Sequence, residues 1–272
     1  MGDLPLFIEA DPIRDRALGM IWGAACGARV GQQGSSWPSS DDMLSHLSES
    51  LIHNRSFDTQ DMLRRLIRAW ALRAGRPNLA GVTERTTRSS AVGFVAGLVP
   101  ISILHRTDRM AAQAGAAELA MTFGASQAEG EALELLTRLL RHALLGQARA
   151  QALAPMSWEG DPRVARVAAG QSLPIETRQD LVAAVDQARG VALRRIPAAA
   201  AFMALASVRA SEAAFILGGA LIGALDGSRA FLPDPQASRV GTPSARLECL
   251  VDQLLVLDVQ RRPRRILAES PS

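Results

Sequence analysis

The sequence predicts an all-helical protein, and three observations carry that expectation. Apolar residues recur at three- and four-residue spacing through most of the 272-residue chain, the period of a helix with one buried face. Convincing period-two alternation, the mark of a half-buried strand, is found nowhere. Serine, threonine and aspartate stand ahead of the periodic runs, where their side-chain oxygens can cap the free N–H groups of a first helical turn.

Taken in order, an irregular start gives way to a helix over Ile13 to Arg29. Its face of Ala17, Met20, Ile21, Ala24, Ala25 and Ala28 is small, and Gly19, Gly23 and Gly27 repeat every four residues. Glycine inside a helix costs roughly 0.5–1 kcal/mol relative to alanine, so three of them need a packing or ligand reason. Val30 to Pro38 reads as a loop, and Leu44, Leu47 and Leu51 then mark a second helix. Met62, Leu63, Leu66, Ile67 and Trp70 place a third over Thr59 to Ala74, with Thr59 as the expected cap. Gly75 to Ser89 has turn residues and little periodicity. Ser90 to Leu104 is almost wholly apolar and reads as a buried helix interrupted near Pro100, which lacks a backbone donor.

Amphipathic helices follow at Asp108 to Thr122, Gln127 to Gly146 and Thr177 to Arg194. Ile196 to Leu225 reads as a pair of helices rich in small residues, broken between Arg209 and Glu212. Phe231 to Pro243 holds three prolines and is a loop, after which Ser244 is the expected cap of a last helix to about Val259. The expected division is an irregular segment over 1–12, one helical domain over 13–260 and a basic flexible tail over 261–272.

Composition narrows the function classes. A formal net charge of +3 is small for this length, and the one basic cluster, Arg261-Arg262-Pro263-Arg264-Arg265, reads as a solvated tail, so a specific nucleic-acid partner is not expected. All 30 basic residues are arginine and tyrosine is absent, which points to biased coding. Cys26 and Cys249 lack zinc or redox spacing and fit a reducing compartment. The longest apolar runs are too short or too rich in glycine and proline to span a bilayer, and acids at Asp3, Glu9 and Asp11 argue against a signal peptide. A cytoplasmic protein with no membrane partner is expected.

The stretch with most chemistry is Trp37-Pro38-Ser39-Ser40-Asp41-Asp42. Ser39 and Asp42 have capping-box spacing, and acids in a first turn suit the positive end of the helix dipole. The same hydroxyl and two carboxylates at Ser40, Asp41 and Asp42 also offer hard oxygen ligands to Mg2+ or Mn2+. Both readings remain open from the residues alone. His46 and His53 share a helix, but no ligand pattern accompanies them.

The order of several motifs resembles the ADP-ribosylglycohydrolase family, over about Asp15 to Leu257. Arg16 to Ala28 looks like the family's opening helix, and Ser40-Asp41-Asp42-Met43 stands where the family carries Thr-Asp-Asp-Thr. Val99 to Leu104 matches an apolar segment, Thr122-Phe123 falls at a Thr-His pair, and Gly219-Ala220-Leu221-Ile222-Gly223-Ala224 resembles the end of the last metal-binding helix. The resemblance implies a single compact, orthogonal helical domain with two Mg2+ ions in a central cleft, hydrolysing the glycosidic bond of ADP-ribose adducts.

It also implies a damaged centre. The family's Gly-Gly-Asp-Thr-Asp-Thr falls on Val208-Arg209-Ala210-Ser211-Glu212-Ala213, so one carboxylate is lost at Ala210, a hydroxyl at Ala213, and the other carboxylate survives as Glu212. The remaining set of Ser40, Asp41, Asp42 and Glu212 suggests one metal ion or none. Trp37 could stack on an adenine or ribose face, Arg209 could bind a phosphate or pair with Asp41 or Asp42, and Ser211 completes the implied ligand-binding set. Arg209 reads equally well as a surface arginine in a helix break. The expected partner is ADP-ribose or an ADP-ribosylated protein, with two-metal hydrolysis impaired or lost. The alternative is a non-catalytic interaction or regulatory module, and the glycine-rich faces leave a homodimer open.

Overall fold

The protein is described from a computed structural model, which covers residues 11–31, 40–74, 91–174, 180–231 and 245–261. Among these residues there are helices and no strand. In chain order they are α1 (Pro12–Gly31), α2 (Ser40–Asn54), α3 (Thr59–Ala74), α4 (Ala91–Leu104), α5 (Arg109–Thr122), α6 (Gln127–Leu144), α7 (Arg149–Ala152), α8 (Pro162–Ala168), α9 (Leu181–Leu193), α10 (Ala198–Ser207), α11 (Glu212–Asp226) and α12 (Ala245–Arg261). A short 3-10 turn, Ser228–Phe231, follows α11. One contiguous hydrophobic core runs from Ala17 to Leu255.

The reason for the glycine series lies in the pairing of α1 with α11. The two helices run antiparallel at backbone contact. A Cβ built on Gly19 would strike the Gly223 carbonyl, one on Gly23 the Gly219 carbonyl, and one on Gly27 the Phe215 carbonyl. The relation is reciprocal, since Cβ atoms on Gly219 and Gly223 would strike the carbonyls of Gly23 and Gly19. Such proximity brings Cα–H groups against carbonyl oxygens, a weak attraction repeated along the interface. The glycines therefore have a packing reason inside the chain. The first helix also runs past Arg29 to Gly31, which continues the same four-residue series and lies against α11: its Cβ would come 3.1 Å from the Cα of Glu212.

Helix α4 occupies the centre, in contact with α1, α2, α5, α6, α11 and α12. Every described side chain from Val95 to Leu104 is buried, which is why its sequence shows no polar face. The helix continues through Pro100 instead of breaking there; burial on all sides holds the segment in place despite the missing donor.

Side-chain oxygens fix several helix starts. Asp58, not Thr59, caps α3, its Oδ1 accepting from the Asp61 N–H at 2.9 Å. Asp108 accepts from Ala111 N–H at 3.0 Å ahead of α5, and Ser126 with Glu129 forms a capping box ahead of α6. The short helices α7 and α8 are not among the expected elements, although α8 opens with a local signal, Asp161 at its cap accepting from the Arg163 N–H at 2.8 Å and Pro162 in its first turn. Their surroundings are held by buried arginines: Arg189 donates to the carbonyls of Leu153 and Val167, and Arg141 donates to that of Arg106 at 2.9 Å. Arg106 in turn lies 3.1 Å from Asp258 of α12, both nearly sealed from solvent. The expected cap Ser244 and nearly all of the basic tail, residues 262–272, lie outside the described residues.

Candidate functional site

The antiparallel pairing sets where the sequence-predicted residues can meet. Because α1 ends against the start of α11, Gly31 lies at the end of the molecule where Glu212 begins its helix, and α2 starts at Ser40 after eight intervening residues. The end of α1 and the α10–α11 junction therefore lie together.

Asp42 occupies the first turn of α2 with only 6% of its surface exposed. Met43, Leu44, Leu47 and Leu51 on the same helix are fully buried and hold its register. The side chains of Ser40 and Asp41 and the whole of Trp37 lie outside the described residues.

At the other half of the site, α10 ends at Ser207 and Arg209 turns the chain with a φ of 51°. That left-handed value is uncommon for a residue other than glycine. It exposes the Arg209 side chain and reverses direction so that Ala210 is buried and α11 can start. Ser211 stands at the N-cap with φ −67° and ψ 156°, yet its hydroxyl makes no capping bond. Glu212 is half-buried and makes no hydrogen bond or ion pair with described residues. Burial alone pushes its carboxyl above the ordinary range, the response of an acid removed from water with no cation beside it. Ala210 and Ala213 on either side are buried and offer no oxygen from a side chain.

A magnesium centre needs several convergent oxygens in near-octahedral order, with a carboxylate or two among them. Among the described residues no group of three or more histidine, cysteine, aspartate and glutamate side chains is placed to hold a metal ion. Of the expected ligand set, the described side chains are those of Asp42 and Glu212.

No protein-family model and no curated protein matches the sequence. The comparison with solved structures is decisive for the fold. An ADP-ribosylglycohydrolase-related protein complex contains a chain that superposes with a TM-score of 0.71 at 23% identity, over 90% of this chain and 99% of that one. The chain has the ADP-ribosylglycohydrolase-type fold. At this identity the likeness speaks for architecture, and what the architecture does here has to come from the residues.

Proposed function

We propose that this chain uses the ADP-ribosylglycohydrolase-type fold as a binding module and does not carry out two-metal hydrolysis. The observation that carries the reading is the start of α11, where Glu212 is the one carboxylate between two buried alanines. Burial raises the pKa of its carboxyl, and the buried alanines at 210 and 213 add no side-chain oxygen to it. A buried Asp42, an exposed Arg209 and the uncommitted hydroxyl of Ser211 remain as polar groups suited to an ADP-ribosyl ligand, free or attached to a protein. Metal-assisted catalysis would need an ion to orient the ribose and activate water, and such an ion is not part of this proposal.

The test is calorimetric titration of the purified protein with ADP-ribose, with and without Mg2+ or Mn2+, beside an assay for ADP-ribose release from ADP-ribosylated protein. Saturable binding that is indifferent to metal, with no release, is expected. Metal-dependent release that disappears in Asp42→Ala would overturn the proposal.

A second reading, an interaction module without a small-molecule ligand, is favoured by the exposed patch at the end of α10. Met203 is 71% exposed and Val208 60%, beside Arg209. Light scattering across protein concentration distinguishes it: this reading expects self-association that is lost in a Met203→Asp, Val208→Asp double variant.

A further inference from the structure

Helix α11 has 15 residues and so spans about 22 Å, which places its C-terminal end far from Glu212. There the structure opens a cavity of about 640 Å3, lined among others by Arg149, Arg195 and Arg229. We propose that this cavity binds a small phosphate ester, with the guanidinium groups holding the phosphoryl oxygens.

Three features of the cavity support that chemistry. First, its cations differ in how they are held. Arg149 is anchored: it donates to Asp226 Oδ2 at 2.6 Å and to the Ala192 carbonyl, and its side chain is only 11% exposed. Arg195 and Arg229 are exposed and have neither ion pair nor hydrogen bond among the described residues. Three guanidiniums against the single carboxylate of Asp226 leave two positive charges unbalanced at the cavity. Planar guanidinium groups recognise phosphate through paired N–H donors, so two free ones around a fixed third suit a dianion.

Second, the remaining wall is apolar. Ile196, Leu225 and Ala230 face the same space, which a bare inorganic ion would leave unused but the organic part of an ester would cover. Third, the chain enters α10 at this place. Arg195 carries a φ of 50°, and Pro197 at the N-cap provides no capping side chain for the first turn that begins at Ala198. The positive end of that helix adds to the field of the arginines.

The experiment is calorimetric titration of the full chain with phenyl phosphate and with inorganic phosphate. Phenyl phosphate is expected to bind saturably and more tightly than inorganic phosphate, because it alone covers the apolar wall. Arg195→Gly, which also suits the left-handed backbone, and Arg229→Ala are each expected to weaken phenyl phosphate roughly tenfold, the loss of about one charge-assisted pair. Arg68→Ala, an exposed arginine on α3, is expected to change nothing. The absence of saturable binding by phenyl phosphate, unchanged affinity in both cavity variants, or an equal loss in Arg68→Ala would each overturn the proposal; the last would show general attraction to surface charge.

Discussion

Replacing Gly23 with alanine puts a methyl group where the Gly219 carbonyl already stands and 2.9 Å from Phe231 Cε2. Nothing there can yield by a rotamer change, because the principal neighbour is helix backbone. The helices must separate until the new contact reaches about 3.4 Å, the short end of ordinary van der Waals approach. That movement is shared along the interface, so the Gly19–Gly223 and Gly27–Phe215 contacts open with it. Even a 0.5–1 Å gap forfeits roughly a quarter to a half of the dispersion at each affected contact. Overpacking costs typically about 1–3 kcal/mol and sometimes more, and a rigid backbone clash belongs at the upper end, about 4 kcal/mol. Alanine returns about 1 kcal/mol of helix propensity, leaving a net loss of about 3 kcal/mol.

The matched control is Gly190→Ala in α9, where a Cβ meets nothing within 4 Å; here only the propensity acts, and a gain of about 0.5–1 kcal/mol is expected. Urea unfolding followed by circular dichroism reads both. In thermal melts, the Gly23 variant should fall by roughly 6–12 °C, at about 2–4 °C per kcal/mol for a chain of this size. A Gly23→Ala protein as stable as the parent, with Gly190→Ala stabilised as expected, would refute the backbone-contact explanation of the glycine series.

Two further outcomes follow from buried charge. The folded-state pKa of Glu212 lies above its unfolded value, so its contribution to stability is present below the unfolded pKa and lost as pH rises through the folded one; Glu212→Gln should match the parent at pH near 4 and be the more stable protein at pH 7. Unfolding curves at both pH values check this, and a parent stabilised by Mg2+ beside a Gln variant that is not would reveal a cation ligand instead. Asp258→Ala removes the carboxylate 3.1 Å from the buried Arg106 guanidinium and 2.8 Å from the Thr107 hydroxyl; a loss of about 3–5 kcal/mol is expected in urea unfolding, while a packed apolar pair at 106 and 258 should recover most of it. A change below about 1 kcal/mol would mean that the pair does not tie α12 to the α4–α5 turn, since that is the range of exposed pairs.

The sequence by itself determined the helical class and most of the element order, because a helix with one buried face writes its period into consecutive residues. It located the break between α10 and α11 to within a few residues. It flagged the glycine series as needing a cause, but stopped that series at Gly27, since Gly31 ahead of Gln32, Gln33 and Gly34 resembles a turn when its partner helix is unseen. Only the tertiary structure decided that the partner is α11, nearly 200 residues away in sequence. The same limit applied at Pro100, where enclosure by neighbouring helices outweighs a local helix-breaking preference. It applied also to Asp58, whose capping role is set by backbone direction. The isolation of Glu212 and the meeting of Arg149, Arg195 and Arg229 are invisible along the chain for one physical reason: burial, charge balance and concavity are properties of groups brought together by folding, and no local pattern of residues encodes which distant groups those are.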